Sequence, residues 1–179
     1  MKKHLLAAAI VALAAGSAMA QANDTLAKIK GSGSVTLGVR ESSGLSYTLG
    51  NGKYVGFHTE MGERVLDDIQ KQLGLAKLDV KYQPVTSQNR IPLVTNGTVD
   101  LECGSTTNNA ARQKDVAFAV TTYVEEVRMA VKANSGINSI TDLKGRTVAT
   151  TTGTTSVQTL RKNERAGNPD FKEVYGKDH

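Results

Sequence analysis

The chain of 179 residues is poor in two residue types whose scarcity limits what it can do. It contains one cysteine, Cys103, and aromatic side chains make up only 4% of it. A lone cysteine cannot close a disulfide on itself, so it is a free thiol, an intermolecular link, or half of a bond whose other cysteine is missing. We interpret Cys103 as structural. Few aromatic rings, and lysines and arginines scattered without a run of five or six, predict that nucleic acid is not a partner.

The first 20 residues show the features of an export signal in the order that export requires. A basic start, Met1–His4, is followed by an apolar run over residues 5–15 and by a small-residue cleavage site at residues 18–20. This order predicts a signal peptide rather than a buried N-terminal helix, and the apolar run is too short to span a bilayer. No other run is long enough to cross a membrane. We therefore expect a soluble mature protein that is exported to a bacterial periplasm.

Apolar runs typical of strands alternate with helical patterns over the next hundred residues. Strand patterns fall at residues 35–39, 78–85 and 99–103. Helical spacing of apolar side chains occurs at residues 60–73 and again, in a shorter segment, at residues 89–96. Residues 42–54 are rich in Gly, Ser and Asn and are expected to form a loop. The alternation predicts an α/β fold with a parallel sheet.

The alternation is interrupted near the middle of the chain. Two strand patterns, at residues 116–120 and 125–132, follow each other without a helix between them. Strand, helix and strand patterns then resume at residues 146–150, 153–162 and 171–175. We therefore expect a signal peptide at 1–20 followed by two lobes, the first at 21–123 and the second at 124–179.

Three arginines follow the three predicted strands of the first lobe. Arg40, Arg90 and Arg112 each lie just beyond a carboxyl end, where open α/β sheets place their ligands. Ser87 lies near Arg90, and a hydroxyl-rich stretch over residues 105–107 precedes Arg112. A guanidinium fork with hydroxyls and free backbone N–H groups suits a small carboxylate. One such arginine is usually a solvated charge, whereas three in equivalent places indicate a binding site for small acids.

A threonine-rich turn joins the strand at residues 146–150 to the following helix. Its sequence, TTGTTS, covers Thr151 to Ser156. Unpaired N–H groups and the helix dipole favour an anion at such a place. Threonine-rich turns also cap helices for stability alone, and this one lacks the Gly-Lys-Ser/Thr ending of a phosphate-binding loop.

Other titratable side chains do not form a catalytic arrangement in the sequence. His58 precedes a helix and is expected at the surface, and His179 is the last residue. Glu102 lies within a predicted strand and could act as a base, but no second acid or histidine lies at catalytic spacing. We therefore predict no catalytic residue, no metal site and no cofactor.

Taken together, these segments resemble the periplasmic amino-acid-binding proteins of ABC transporters, solute-binding protein family 3, and especially their glutamate/aspartate-binding branch. The motifs that carry the resemblance are GVRESS (38–43), TSQNRIPL (86–93), NGTVDLECGSTTNN (96–109), DLKG (142–145), TTGTTS (151–156) and the terminal KDH (177–179). The resemblance covers nearly all of the mature chain. It implies a two-lobed type II periplasmic-binding-protein fold.

The resemblance also implies roles for particular residues. The α-carboxylate of an acidic amino acid would be held by Ser105, Thr107 and Arg112. Its side-chain carboxylate would face Arg40, Ser87 and Arg90. From the second lobe, the contacts would come from Thr151 and Thr154, and from His179 toward the acidic side chain.

The sequence departs from the family pattern in two ways. His58 stands where members usually carry an acidic residue. The sequence stops at Lys177-Asp178-His179, whereas the second lobe of the family continues and the chain then returns to complete the first lobe. The aspartate that receives the α-ammonium in the family lies in that part. We therefore expect a fold that is truncated within the second lobe.

The resemblance predicts a periplasmic, monomeric solute-binding component that captures L-glutamate or L-aspartate and delivers it to the membrane permease of an ABC importer. Two alternatives use the same fold. One is a periplasmic enzyme of dehydratase type, which needs a general acid or base in the cleft. The other is the ligand-sensing domain of a receptor, which needs a transmembrane helix elsewhere in its chain.

Overall fold

The computed structural model describes residues 24–166 and 170–178. The predicted signal peptide at residues 1–20 and the candidate residue His179 lie outside the described residues. Within the described part of the chain, no helix combines the length and the apolar character needed to cross a membrane.

The first group of elements, which we call the N-terminal unit, lies within residues 24–116. Its helices and strands are α1 (Thr25–Ser32), β1 (Ser34–Val39), β2 (Ser42–Ser43), β3 (Ser46–Gly50), β4 (Lys53–Val55), α2 (Phe57–Gln72), β5 (Asp79–Pro84), α3 (Arg90–Thr95) and β6 (Leu101–Glu102). A single 3-10 turn, Arg112–Lys114, follows β6.

A parallel sheet of three strands forms the centre of the N-terminal unit. The order is β5-β1-β6, with Val39 opposite Pro84 and Leu37 opposite Leu101. Parallel strands place their carboxyl ends at the same edge, so the segments that follow all three strands meet there. The predicted α/β architecture with a parallel sheet is confirmed.

The apolar core lies around the central strand. Leu37 and Val39 of β1 are fully buried, and Leu66 of α2 packs against the same cluster. Successive side chains of a strand point to opposite faces, and burial on both faces is expected for a central parallel strand. The core therefore holds β1 rigidly and positions the residue that follows it.

Residues 42–55 are not the loop that their composition predicted. They form an antiparallel meander, β2-β3-β4, beside the main sheet. The turn between β3 and β4 places Gly50, Asn51 and Gly52 at positive φ, a conformation that glycine and asparagine adopt at low cost. The turn residues therefore connect two strands of a hairpin.

The helix predicted at residues 60–73 would have Thr59 as its N-cap residue, but α2 begins three residues earlier, and Gly56 precedes its first turn. A Cβ at Gly56 would lie 2.7 Å from the carbonyl oxygen of Leu45, so this position needs glycine. The Thr59 hydroxyl instead lies 2.8 Å from Ser46 Oγ and donates to the carbonyl of Val55 at 3.3 Å. It fastens α2 to β3 and β4.

The second group of elements, which we call the C-terminal unit, covers residues 137–166 and 170–178. It contains a 3-10 turn (Ile140–Leu143), β7 (Thr147–Thr151), α4 (Thr155–Arg165) and β8 (Lys172–Gly176). The strands β7 and β8 are parallel neighbours. Ser139 and Asp142 form a capping box at the start of the 3-10 turn. Leu143, Leu160 and Phe171 form a small separate core.

The segment between the two units does not form the strand predicted at residues 125–132. Residues 117–132 have no assigned strand, and Val120 and Val124 are each 86% exposed. A strand is stabilised by ladder hydrogen bonds and by burial of one face. No strand among the described residues lies beside this segment to supply either, so the apolar pattern alone does not make it one.

The sequence predicted His58 at the surface, but the structure shows this residue of α2 to be buried. It is 3% exposed, with Nε2 3.4 Å from the Thr122 hydroxyl and with no partner for Nδ1 among the described residues. Burial lowers the pKa of the His58 imidazole, because a charged ring would lose its hydration.

This burial predicts a pH-dependent loss of stability. Below about pH 6.5, the imidazole of the unfolded chain takes up a proton that the folded state resists. The free energy of unfolding should therefore fall as the pH decreases, and a His58→Gln variant should lack that contribution. Urea unfolding at pH 7.5 and 5.5 should show the variant gaining stability relative to wild type at the lower pH. A difference that is the same at both pH values would contradict the assignment.

Candidate functional site

Arg40 is the residue immediately after the central strand β1, and it is fully buried. Its Nη2 donates to Ser87 Oγ at 3.1 Å and to the carboxylate of Asp178. Its Nε and Nη1 have no hydrogen-bond partner among the described residues. Unpaired donors of a buried cation are costly, and each normally finds an acceptor. Arg40 thus presents N–H groups on Nε and Nη1 that are available to an acceptor.

Arg90 opens helix α3 at the same edge of the sheet and is 3% exposed. Its Nη1 donates to Ser105 Oγ at 3.4 Å, and its Nε has no partner among the described residues. Burial lowers the pKa of the Arg90 guanidinium to about 10. Glu102 acts against this change, and the positive charges of Arg40 and Arg112 add to it. Arg90 remains charged at neutral pH.

Arg112 lies in the 3-10 turn after β6 and joins the N-terminal unit to the C-terminal unit. Its backbone N–H donates to Asn109 Oδ1 at 3.0 Å, which fixes the turn. Its Nη1 donates to the carbonyl of Thr107 at 2.9 Å and its Nη2 to the carbonyl of Gly153 at 3.1 Å. Burial lowers the pKa of its guanidinium. All three predicted arginines are therefore buried at the carboxyl edge of the sheet.

Glu102, the last residue of β6, carries a carboxylate beside these arginines. Its Oε2 accepts from the Thr106 hydroxyl at 2.8 Å, and its Oε1 is buried with no partner among the described residues. Burial raises the pKa of this carboxyl, and the charges of Arg90, Arg40 and Arg112 act in the opposite direction. A side chain at Gly104 would collide with the carboxylate, because its Cβ would lie 2.3 Å from Oε1. Glu102 therefore places a buried carboxyl group close enough to the three arginines to interact with their charges.

The threonine-rich turn of the C-terminal unit touches the N-terminal unit directly. Gly153 has φ +77°, and a Cβ there would lie 2.6 Å from the carbonyl oxygen of Ser87. The Thr155 hydroxyl is 3.5 Å from that of Thr107. Only a residue without a side chain allows this approach.

Thr154 and Thr151 are in this turn, but the hydroxyl of Thr154 already has two partners. Thr154 Oγ1 accepts from Val157 N at 3.4 Å, which caps α4, and donates to the carbonyl of Thr151 at 2.8 Å. This is the helix-capping role that threonine-rich turns commonly have. Among the described residues, no hydrogen bond joins the side chain of Thr151 or Thr154 to an arginine.

The structure brings together most of the predicted site residues. Direct hydrogen bonds join Arg40 to Ser87, Arg90 to Ser105, and Arg112 to the backbone of Thr107. The candidate His179 is outside the described residues. The predicted placement of the three arginines at one edge of the sheet is confirmed.

Two contacts were missed by the sequence analysis. Asp178 pairs with Arg40 across 138 positions of sequence, and Gly153 packs on Ser87. The only sequence signal for Asp178 was its place just after a predicted strand, in the terminal KDH motif.

The arrangement is suited to binding an anion rather than a metal. Three guanidiniums face the two carboxylates of Glu102 and Asp178, which leaves net positive charge whether or not Glu102 is protonated. Among residues 24–166 and 170–178, no group of three His, Cys, Asp or Glu side chains is placed to hold a metal ion. A carboxylate that accepts from the unpaired N–H groups would satisfy the site.

Comparison with known proteins identifies the family. The profile of the bacterial extracellular solute-binding proteins, family 3, matches residues 35–177. The chain belongs to this family. The family resemblance inferred from the sequence is thereby confirmed.

Individual members of family 3 are similar over nearly the whole chain. The L-glutamate/L-aspartate-binding protein of Pseudomonas aeruginosa is 43% identical over 179 residues, covering 98% of this chain and 59% of the relative. The glutamate/aspartate import solute-binding protein of Escherichia coli K12 is 41% identical over 181 residues, covering 97% of this chain and 60% of the relative. The chain thus spans about 60% of the length of these two relatives.

A solved structure supports the family 3 fold. The ancestral amino-acid-binding protein AncCDT-1, a precursor of cyclohexadienyl dehydratase, superposes with a TM-score of 0.66 at 25% identity. The match covers 86% of this chain and 66% of that chain. The predicted type II periplasmic-binding-protein fold is confirmed.

The close approach of Gly153 to Ser87 yields a prediction with a matched control. Gly153 and Gly145 both have left-handed φ, but nothing lies within 4 Å of a Cβ built at Gly145. Gly145→Ala should therefore lower the free energy of unfolding by only about 1 kcal/mol, the cost of placing a side chain at left-handed φ. Gly153→Ala should cost about 1–3 kcal/mol more, because its methyl would overlap the Ser87 backbone. Urea unfolding of both variants measures the difference, and equal losses would show that this contact is absent in solution.

Proposed function

We propose that the protein is the solute-binding component of an ABC importer for acidic amino acids in a bacterial periplasm. It binds L-glutamate or L-aspartate between its two lobes and delivers the amino acid to a membrane permease. The observation that carries the proposal is the set of three buried guanidiniums at one sheet edge, with Arg40 Nε and Nη1 and Arg90 Nε unpaired among the described residues. The names of the relatives from Pseudomonas aeruginosa and Escherichia coli support it.

The guanidiniums divide into two groups that suit the two carboxylates of the amino acid. Arg112, with Thr107 and Ser105, is assigned to the α-carboxylate, and Arg40 and Arg90, with Ser87, to the side-chain carboxylate. The hydroxyls of Ser87 and Ser105 contact the guanidiniums of Arg40 and Arg90, so they both orient these forks and can donate to a bound oxygen. Thr151, Thr154 and His179 are assigned to contacts from the second lobe.

Each of the three arginines is expected to be necessary for ligand binding, for energetic reasons. A buried carboxylate needs charge-assisted hydrogen bonds to offset the hydration it loses. Micromolar affinity corresponds to about −8 kcal/mol, and loss of one partner from a desolvated charge pair costs about 2–5 kcal/mol. The removal of a single guanidinium should therefore nearly abolish binding.

Contacts between the two units favour closure of the two lobes on the ligand. The arginines belong to the N-terminal unit, whereas Gly153 and Asp178, which contact Arg112 and Arg40, belong to the C-terminal unit. A ligand that contacts both sides favours the closed state over the open state. The lobe boundary at residues 123/124 and the monomeric state are parts of this proposal.

The alternative of an enzyme rests on Glu102. Its carboxyl has a raised pKa and one buried oxygen without a partner among the described residues, which are properties of a general acid. AncCDT-1, a precursor of a dehydratase, has the same fold. We favour binding because AncCDT-1 and the two named relatives are all described as binding proteins. Product analysis after incubation with L-glutamate and L-aspartate separates the two readings, since only an enzyme would consume them.

Arginine substitutions test the proposed function. In calorimetric titration with L-glutamate and L-aspartate, Arg112→Ala and Arg90→Ala should each raise Kd at least about 30-fold. Arg64→Ala is the matched control, because Arg64 lies exposed on α2 away from the site and should leave Kd unchanged.

Unchanged affinity in both site variants would remove the proposal. Thermal melts of all three variants establish that a loss of binding reflects the site rather than unfolding. L-glutamine, which carries an amide in place of the side-chain carboxylate, should bind more weakly than L-glutamate to the unsubstituted protein.

A further inference from the structure

We propose that Asp178 is an inter-lobe positioning residue: its carboxylate, from the C-terminal unit, holds Nη2 of the Arg40 guanidinium and leaves the N–H groups of Nε and Nη1 to the bound amino acid. This inference rests on the proposed function, because it assigns Arg40 to the ligand. It assigns to Asp178 a role in stabilising the closed state, in which Asp178 keeps its contact with Arg40 when the ligand binds.

Arg40 and Asp178 form an ion pair. Arg40 follows β1 in the N-terminal unit and is fully buried, whereas Asp178 follows β8 in the C-terminal unit with its side chain 22% exposed. Their ion pair therefore crosses between the units. Such a contact exists only when the units are close, so it adds to the stability of the closed state.

Only one of the three nitrogen atoms of the Arg40 guanidinium has hydrogen-bond partners among the described residues. Asp178 and Ser87 both engage Nη2 of Arg40. The Nε and Nη1 atoms of the same side chain are buried and have no partner among the described residues. A guanidinium has five N–H donors, so Nη2 can hold Asp178 and Ser87 while the N–H groups of Nε and Nη1 hold a further acceptor. Asp178 and a bound carboxylate can therefore share Arg40 without competing for the same N–H groups.

A second inter-unit contact lies next to the first. Ser87, whose hydroxyl accepts from Arg40, also has its carbonyl oxygen within 2.6 Å of a Cβ built at Gly153. The ion pair and this backbone approach thus meet at one residue of the N-terminal unit. Closure in this region brings Asp178 onto Arg40 and Gly153 onto Ser87 together.

The distance between the units tests the proposal without requiring ligand. Spin labels at Lys71→Cys on α2 and Lys162→Cys on α4, both exposed, report the separation by double electron–electron resonance. The native Cys103 thiol is half-buried, so it should react more slowly than the two introduced cysteines. In the ligand-free chain, Asp178→Asn should shift the distances to longer values. Asp170→Asn, an exposed aspartate of the same unit, should match the unsubstituted protein.

Binding of L-glutamate tests the sharing of Arg40. Asp178→Asn should raise Kd about tenfold, mainly through faster dissociation, and Asp170→Asn should not. Unchanged distances in Asp178→Asn would overturn the proposal, and so would tighter binding, which would mean that Asp178 occupies the place of the ligand. If the unsubstituted protein does not bind L-glutamate or L-aspartate, the proposed function fails, and the distances alone still decide whether Asp178 joins the two units.

Discussion

The burial of three guanidinium groups at one edge of a parallel sheet is the constraint on which the rest of the structure depends. Arg40, Arg90 and Arg112 lose most of their hydration, and they repel one another. Hydroxyls, backbone carbonyls and the carboxylates of Glu102 and Asp178 meet part of the demand of these buried groups for hydrogen-bond acceptors and negative charge. The N–H groups that stay unpaired among the described residues are the part of the demand that a bound anion can meet.

The fold makes this concentration of charge possible by simple topology. The strand order β5-β1-β6 places the ends of three parallel strands side by side, and an arginine comes after each strand. The apolar core around Leu37 and Val39 holds the central strand in place, so the site is supported by a rigid element. The C-terminal unit contributes backbone and carboxylate contacts to the same region, which couples occupancy of the site to the closeness of the two units.

Much of this could be predicted from the sequence, since it depends on local patterns. Strand periodicity located β1, β5 and β6, and the parallel arrangement followed from the helices between them. The contacts that could not be predicted depend on distant partners: Asp178 reaches Arg40 across 138 positions. The segment at residues 125–132 has an apolar pattern but no neighbouring strand to pair with. His58 looked like a surface residue, but it is buried, and its Nε2 lies 3.4 Å from the hydroxyl of Thr122, more than 60 positions away.

The central claim is that the unpaired N–H groups of Arg40, on Nε and Nη1, receive the carboxylate of an acidic amino acid. The most direct measurement is side-chain NMR of protein labelled with ¹⁵N-arginine, during titration with L-glutamate and, separately, with L-glutamine. The account predicts that L-glutamate shifts the Arg40 Nε–H signal and slows its exchange with water, whereas L-glutamine at the same concentration leaves it unchanged. An Arg40 signal that stays in place while L-glutamate binds would contradict the account.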